Sequence, residues 1–289
     1  MDKKNEQLAA LAQRHPCFAI GGQNRTAIRI HLPLVADCNL RCNYCVRALD
    51  PAADRPGVSG AILTPEQAVA LVREVCREYD SVQVIGVAGP GEPLLNGQAL
   101  AAFRLLREEF ADKIFCISSN GLLLEENAER LREVKVDTVT VTVNSVRPEL
   151  SARIYRAVEA AGGVLTGEAA GAYLLQRQQR GVAAAKRQGL TVKINTVLIP
   201  TVNDGHIEEL AQTVASWGAD LINIIPLIPQ CRFGDLRPPT CEALRQAREE
   251  AGRFLPVFRH CSQCRADAIG VPGVSEYRHD VYETVFCPH

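Results

Sequence analysis

The chain has 289 residues, 47% of them hydrophobic, with 32 basic and 33 acidic side chains and a formal net charge of −1. This composition supports a sizeable core and excludes global disorder, and the balanced charge argues against a nucleic-acid or membrane-surface binder. No apolar run approaches the roughly 18 residues of a membrane span, and no apolar segment follows Met1-Asp2-Lys3-Lys4, so a cytoplasmic protein is expected. Disulfides are rare in that compartment. Eleven cysteines, an odd number, therefore point to metal binding or catalysis.

In chain order, residues 1–26 read as a short helix and an irregular lead. Residues 27–35 (AIRIHLPLV) are rich in β-formers and run into the first cysteine cluster. At Thr64-Pro65-Glu66-Gln67 the Thr is placed to cap a helix, the Pro suits its first turn, and the Gln completes a capping box. Ala68, Leu71, Val72 and Val75 continue that helix at helical spacing. Strands are predicted over 82–87, 114–117, 138–143, 191–198 and 221–226. Helices are predicted over 100–110, 127–134, 176–188 and 207–217. With the first strand this makes six strands separated by helices, which implies βαβ units and parallel pairing. The expected fold is an α/β open (β/α)6 partial TIM-like barrel over residues 27–236. A lead (1–26) and a C-terminal extension (237–289), set off by Pro238-Pro239, are expected to cover its mouth. Residues 157–171, rich in Gly and Ala, read as a mobile loop over that mouth. Sites in parallel α/β folds lie at the C-terminal ends of strands, and the motifs fall there or in the tails.

Cys38-Asn39-Leu40-Arg41-Cys42-Asn43-Tyr44-Cys45 places three thiols in one short loop after a strand. Three thiolates suit three corners of an iron–sulfur cube, leaving one iron open for a small ligand. The bland alternative is a structural zinc site or buried cysteines, but structural zinc sites usually have four protein ligands. Gly89-Pro90-Gly91-Glu92-Pro93 follows the second strand. Its glycines admit close approach to a ligand, and Glu92 can accept from an ammonium. Ser118-Ser119-Asn120-Gly121 ends the third strand, Asn144-Ser145 the fourth, and Lys193 and Asn195 lie on the fifth. Their hydroxyls and amides can bind a ribose or carboxylate, or merely cap strand ends. In the tails, Cys17 (in His15-Pro16-Cys17) and the Cys261/Cys264 pair can hold a second iron–sulfur cluster, or a zinc ion with His15 or His260.

The C-x3-C-x2-C loop resembles the signature of the radical S-adenosylmethionine (SAM) superfamily. The resemblance implies that Cys38, Cys42 and Cys45 bind a [4Fe–4S] cluster whose open iron is chelated by SAM. One electron then cleaves the sulfonium to methionine and a 5′-deoxyadenosyl radical. It also implies that Tyr44 lies against the adenine and that Gly89, Gly91 and Glu92 form the motif holding the SAM amino group. Ser118, Asn120, Asn144 and Asn195 match positions lining the SAM and substrate cavity.

The combination of HPC, CNLRCNYC, Arg55-Pro56-Gly57-Val58, AGPGEPL, CISSNG, VKINTVLIPTVND, NIIPLIP and HCSQCRADA is similar to the NifB family of nitrogenase cofactor biosynthesis, from about residue 15 to 270. That resemblance implies an enzyme that fuses two [4Fe–4S] units into an eight-iron core and inserts a carbide from a SAM methyl group. One SAM gives the methyl, and a second gives the radical that removes a hydrogen from it. Cys17, Cys261 and Cys264 match ligands of one accessory [4Fe–4S] cluster, and Cys116 a ligand of another. Cys116 and Glu92 are thus the catalytic candidates. Implied partners are SAM, an iron–sulfur cluster donor, a carrier or scaffold that accepts the product, and a reductant such as ferredoxin or flavodoxin. No nucleic acid or membrane is expected.

One departure stands out. The family carries a cysteine six residues after Cys45, where this chain has Pro51, and Cys231 after the sixth strand is a possible substitute. A NifB-related enzyme with one accessory cluster and a peptide or small-molecule substrate is the alternative. The sequence also stops short of the NifX-like domain of many NifB proteins, so a short form is expected. Cys76 reads as core, Cys241 as a helix start, Cys287 and His289 as a frayed terminus, and His31 and His206 as structural or surface residues.

Overall fold

The computed structural model describes residues 3–19, 26–53, 55–259, 261, 264–272 and 275–277. His260, Cys287 and His289 lie outside these. The chain begins with α1 (Lys3–Arg14), β1 (Ile28–His31), β2 (Leu40–Cys42), β3 (Ala48–Leu49), β4 (Val58–Ser59), α2 (Pro65–Glu78) and β5 (Val82–Val87). It continues with α3 (Gln98–Glu109), β6 (Ile114–Ser119), α4 (Leu124–Glu133), β7 (Thr138–Thr142), α5 (Pro148–Ile154), β8 (Tyr155–Ala160), β9 (Gly163–Leu165) and α6 (Gly167–Arg187). It ends with β10 (Thr191–Leu198), α7 (Ile207–Ser216), β11 (Leu221–Pro226), α8 (Cys241–Gly252), β12 (Val257–Phe258), β13 (Ile269–Val271) and β14 (Ser275–Tyr277).

The six predicted strands are the parallel centre of one sheet, ordered β11-β10-β7-β6-β5-β1. Beyond residue 237, α8 packs on β11, β12 adds a parallel edge strand, and β13 and β14 add antiparallel strands beside β1. The capping box of α2 forms as the sequence predicts: Thr64 Oγ1 accepts from Gln67 N at 3.2 Å, and Gln67 Oε1 from Thr64 N at 2.8 Å.

Period-2 alternation sorts each strand's side chains between two faces. On β6, Phe115 and Ile117 enter the core under the helices, where Phe115 stacks on Phe103 of α3 at 5.3 Å, whereas Cys116 and Ser118 face the barrel interior. On β10, Val192 and Ile194 are core and Lys193 and Asn195 face inward. The barrel interior is thus polar and thiol-rich, while its helical side is apolar.

Residues 157–171 are not a loop. They form most of β8, all of β9 and the first turn of α6. Strand β8 pairs antiparallel with β2 inside the cysteine motif, in register Leu40↔Val158 and Arg41↔Ala157, and Val158 and Tyr155 are buried there. Gly163 turns the β8–β9 reversal at φ +122°. Gly171 is helical: a Cβ there would stand 2.4 Å from the Pro148 carbonyl oxygen, so α6 needs glycine to pack on α5. The glycines that suggested a loop instead mark a tight turn and a close approach.

Candidate active site

The cysteine loop is held from three sides. Strand β8 pairs with Leu40 and Arg41, Asn43 N donates to the Ile154 carbonyl at 2.9 Å, and Arg232 N donates to the Asn43 carbonyl at 3.0 Å. The three thiols are free. Burial raises the pKa of each. Cys45 reaches about 11, and Cys42 rises well above its ordinary value because Cys45 and Cys38 also lie beside it. Three converging thiols that resist ionisation without a cation form a donor set suited to a metal, which reverses the penalty by binding the thiolates.

The Gly89–Pro93 turn packs on the approach to Cys38. Gly91 N donates to the Val35 carbonyl at 2.7 Å and Glu92 N to the Asp37 carbonyl at 2.8 Å. A Cβ on Gly91 would lie 2.1 Å from the Asp37 oxygen. Glu92 is 2% exposed. Its carboxylate accepts from Ser119 Oγ at 2.8 Å, Asn120 N at 2.7 Å and Leu94 N at 3.2 Å. It therefore braces the end of β6 against the cysteine loop. Asn120 completes the brace by donating to Asn39 Oδ1 at 2.8 Å and to Cys38 Sγ at 3.7 Å.

Tyr44 is fixed at both ends. Its hydroxyl accepts from Asn144 Nδ2 at 2.8 Å, and its carbonyl accepts from Gln230 Nε2 at 2.8 Å. Asn144 is fully buried, and its Oδ1 accepts from Val197 N at 2.8 Å. Asn144 thus orients Tyr44 from beneath, whereas Ser118 and Asn195 line the open space itself.

That space is a cavity of about 290 Å³ in the barrel mouth. Cys17 from the lead, Cys116 from β6, and Cys261 and Cys264 from the tail all reach its wall, with Tyr44 of the cysteine loop on the same wall. Gly86 on β5 makes room for one of these thiols, since a Cβ there would stand 2.6 Å from Cys116 Sγ. Burial, and Cys17 next to it, push the Cys116 pKa up to about 12. His15 accepts from Cys17 N through Nδ1 at 3.2 Å, and its Nε2 is buried with no hydrogen-bond partner among the described residues. Four thiols and an orphaned imidazole nitrogen are donors suited to iron or zinc. Among the described residues no three potential ligands form a ready single-ion cage.

Sequence reasoning missed two features here. His31, read as structural or surface, is on the cavity wall, its Cδ2 near the Gly86 position and its Nδ1 3.3 Å from the Arg265 carbonyl oxygen. Burial, with Arg29 nearby, lowers its pKa to about 3, so it is a neutral imidazole able to bind metal. Its inward direction on β1 was the available signal. The second is Arg265, which clasps Asp267 at 2.8 and 2.9 Å and also bonds the Asp50 and Ala53 carbonyls. Asp267 in turn accepts from Gly60 N at 2.6 Å. The tail carrying Cys264 is thereby pinned to the segment after the cysteine loop.

Other sequence candidates fall elsewhere. Pro51 is exposed. Cys231 sits beside the cysteine loop, its thiol 3.3 Å from the Cys45 carbonyl oxygen, and is not part of the cavity wall. Cys76 packs partly buried against the core, Cys241 opens α8, and His206 accepts from Val146 N at 3.1 Å.

The family model of the radical SAM superfamily matches residues 32–214. FeMo cofactor biosynthesis protein NifB of Methanocaldococcus jannaschii is 39% identical over 274 residues, covering 94% of this chain and 91% of that protein. The chain belongs to the radical SAM superfamily and, within it, to the NifB family. The Klebsiella pneumoniae NifB is 42% identical over 92% of this chain, which spans 58% of that longer relative. Solved structures share the NifB-family chain's fold. Streptococcus suis SuiB bound to S-adenosylmethionine has a TM-score of 0.62 at 14% identity, covering 96% of this chain and 67% of that one. Methylornithine synthase has a TM-score of 0.54 at 12% identity, covering 96% and 82%. No described helix is long and apolar enough to cross a membrane.

Proposed function

We propose that this NifB-family chain is a radical SAM enzyme of nitrogenase cofactor biosynthesis, whose cargo is a pair of iron–sulfur units held in the barrel mouth and converted to a carbide-centred eight-iron core. The observation that carries this reading is the meeting of Cys17, Cys116, Cys261 and Cys264 in one cavity that also reaches Tyr44. A radical SAM enzyme that acts on an organic substrate without an accessory cluster needs no such thiol lining.

When bound by Cys38, Cys42 and Cys45, the [4Fe–4S] cluster supplies one-electron reductive cleavage of SAM, and SAM itself supplies a transferable methyl group. The protein's part is positioning. Glu92 and Asn120 hold the cysteine loop against β6, and Asn144 aims Tyr44. Ser118 and Asn195 offer a hydroxyl and an amide to a bound ligand. Cys17, Cys261 and Cys264 hold one cargo cluster, while Cys116 holds the other. The proposed partners are a cluster donor, a carrier or scaffold for the product, and a ferredoxin or flavodoxin reductant.

Pro51 favours a second reading, a related enzyme with one accessory cluster and another substrate. Iron and acid-labile sulfide per chain after anaerobic reconstitution separate the two, since each [4Fe–4S] unit adds about four irons. About twelve supports the two-cluster reading, about eight the alternative. The main reading is overturned if loaded protein with SAM and reductant transfers no methyl to cluster sulfide and makes no product that activates cofactor-free nitrogenase.

A further inference from the structure

The cavity contains a charge that nothing among the described residues balances. Lys193, on β10, is 5% exposed and has its ammonium inside the barrel mouth. Its Nζ donates to the Cys17 carbonyl oxygen at 3.1 Å and lies over the rings of Phe18 and Phe258, at 4.8 and 5.4 Å from their centroids. These contacts are favourable to a cation but leave its charge in place. No carboxylate pairs with it among the described residues, and none lines the cavity. Another buried cation, Arg29, has a different use, donating to the Gly270 carbonyl at 2.8 Å where β13 pairs with β1.

Burying an ion away from water costs several kcal/mol unless an opposite charge meets it. A strand position facing a cavity of thiols and imidazoles gives no packing reason for lysine. Iron–sulfur clusters ligated by several thiolates carry net negative charge, because the thiolates outweigh the cationic core. The lysine and such a cluster therefore solve one another's desolvation problem.

We propose that Lys193 is a positioning residue that serves as the counter-charge for anionic, thiolate-ligated iron–sulfur cargo in the barrel mouth. This rests on the reading that Cys17, Cys116, Cys261 and Cys264 hold that cargo. Contact with the Cys17 carbonyl places the charge beside one ligand, and the Phe18 and Phe258 rings face the same ammonium.

The test compares Lys193→Gln, Lys193→Met and Lys193→Arg with the wild-type chain, cluster-free and after anaerobic reconstitution. Gln retains an N–H donor without charge, Met retains length alone, and Arg retains the charge. Removing a nearby positive charge disfavours the more negative, reduced cluster. Both neutral variants are therefore expected to shift the accessory-cluster reduction potential to more negative values and to retain less accessory iron, with Arg restoring both. The cluster-free neutral variants are expected to melt no lower than wild type, because an unbalanced buried charge has been removed. A merely structural lysine predicts the opposite. The inference is overturned if potential and iron retention match wild type in both neutral variants, if Gln alone restores them, or if the cluster-free neutral variants are destabilised. If wild-type protein cleaves SAM yet builds no accessory cluster, the proposed function has failed first and takes this inference with it.

Discussion

The carboxylate of Glu92 accepts the backbone N–H of Asn120 at 2.7 Å, while the Asn120 side chain reaches Cys38 Sγ at 3.7 Å. Two motifs separated in sequence are thereby joined to the first cysteine of the cluster loop. Glu92→Ala leaves the buried donors of Ser119, Asn120 and Leu94 unpaired, at about 1–3 kcal/mol each. The expected result is a lower melting temperature of the cluster-free protein and loss of 5′-deoxyadenosine release from SAM. Wild-type melting would refute the brace.

The same carboxylate predicts a pH dependence. Burial raises its pKa from 4.5 to about 6, outweighing the three hydrogen bonds that pull it down. A raised folded-state pKa means that Glu92 contributes its full stability below pH 4.5, and that this is lost as pH rises through about 6. Glu92→Gln does not titrate. Wild-type stability relative to Glu92→Gln should therefore fall by on the order of 2 kcal/mol between pH 4.5 and about pH 7, read from urea unfolding of cluster-free protein. An unchanged difference across that range would show that the three hydrogen bonds cancel the effect of burial.

Two glycines should separate the two metal regions. In Gly91→Ala the new methyl meets the Asp37 carbonyl oxygen at 2.1 Å and the Ala36 carbonyl at 2.6 Å, which are backbone atoms with no rotamer to yield. It should displace the segment leading into Cys38 and remove about four irons together with SAM cleavage. In Gly86→Ala the methyl meets Cys116 Sγ at 2.6 Å, with His31 Cδ2 at 3.4 Å. That variant should lose accessory iron while the cysteine loop still fills. Iron counts and SAM cleavage, measured side by side, check both.

Arg265→Leu tests the clasp that holds the tail. It strands Asp267, whose carboxylate is 6% exposed, and removes the bonds to the Asp50 and Ala53 carbonyls. Breaking a buried pair from one side costs about 3–5 kcal/mol. Denaturant unfolding should show that loss, and Arg265→Leu with Asp267→Leu should recover part of it. A double variant no better than the single one would mean that the carbonyl contacts, not the ion pair, matter.

Much of the fold was legible in the sequence because its signals are local. Strands β5, β10 and β11 span the residues predicted for them, and Thr64 and Gln67 form the capping box in the order written. The spacing of Cys38, Cys42 and Cys45 placed three thiols in one loop, and composition argued for metal over disulfides. Legibility failed where one residue type serves two purposes. The glycines of 157–171 served as readily for the β8 clamp and the α5–α6 approach as for a loop, and only pairing with β2 separates these uses.

The sequence by itself determined the alternation of elements and the cysteine loop, since both depend on neighbours a few residues apart. The tertiary structure alone decided that Cys17, Cys116, Cys261 and Cys264 share one cavity and that His31 and Lys193 turn into it. The physical reason is that strand order and the alternating direction of side chains across the sheet fix which distant residues meet, and neither is written in any local stretch of chain.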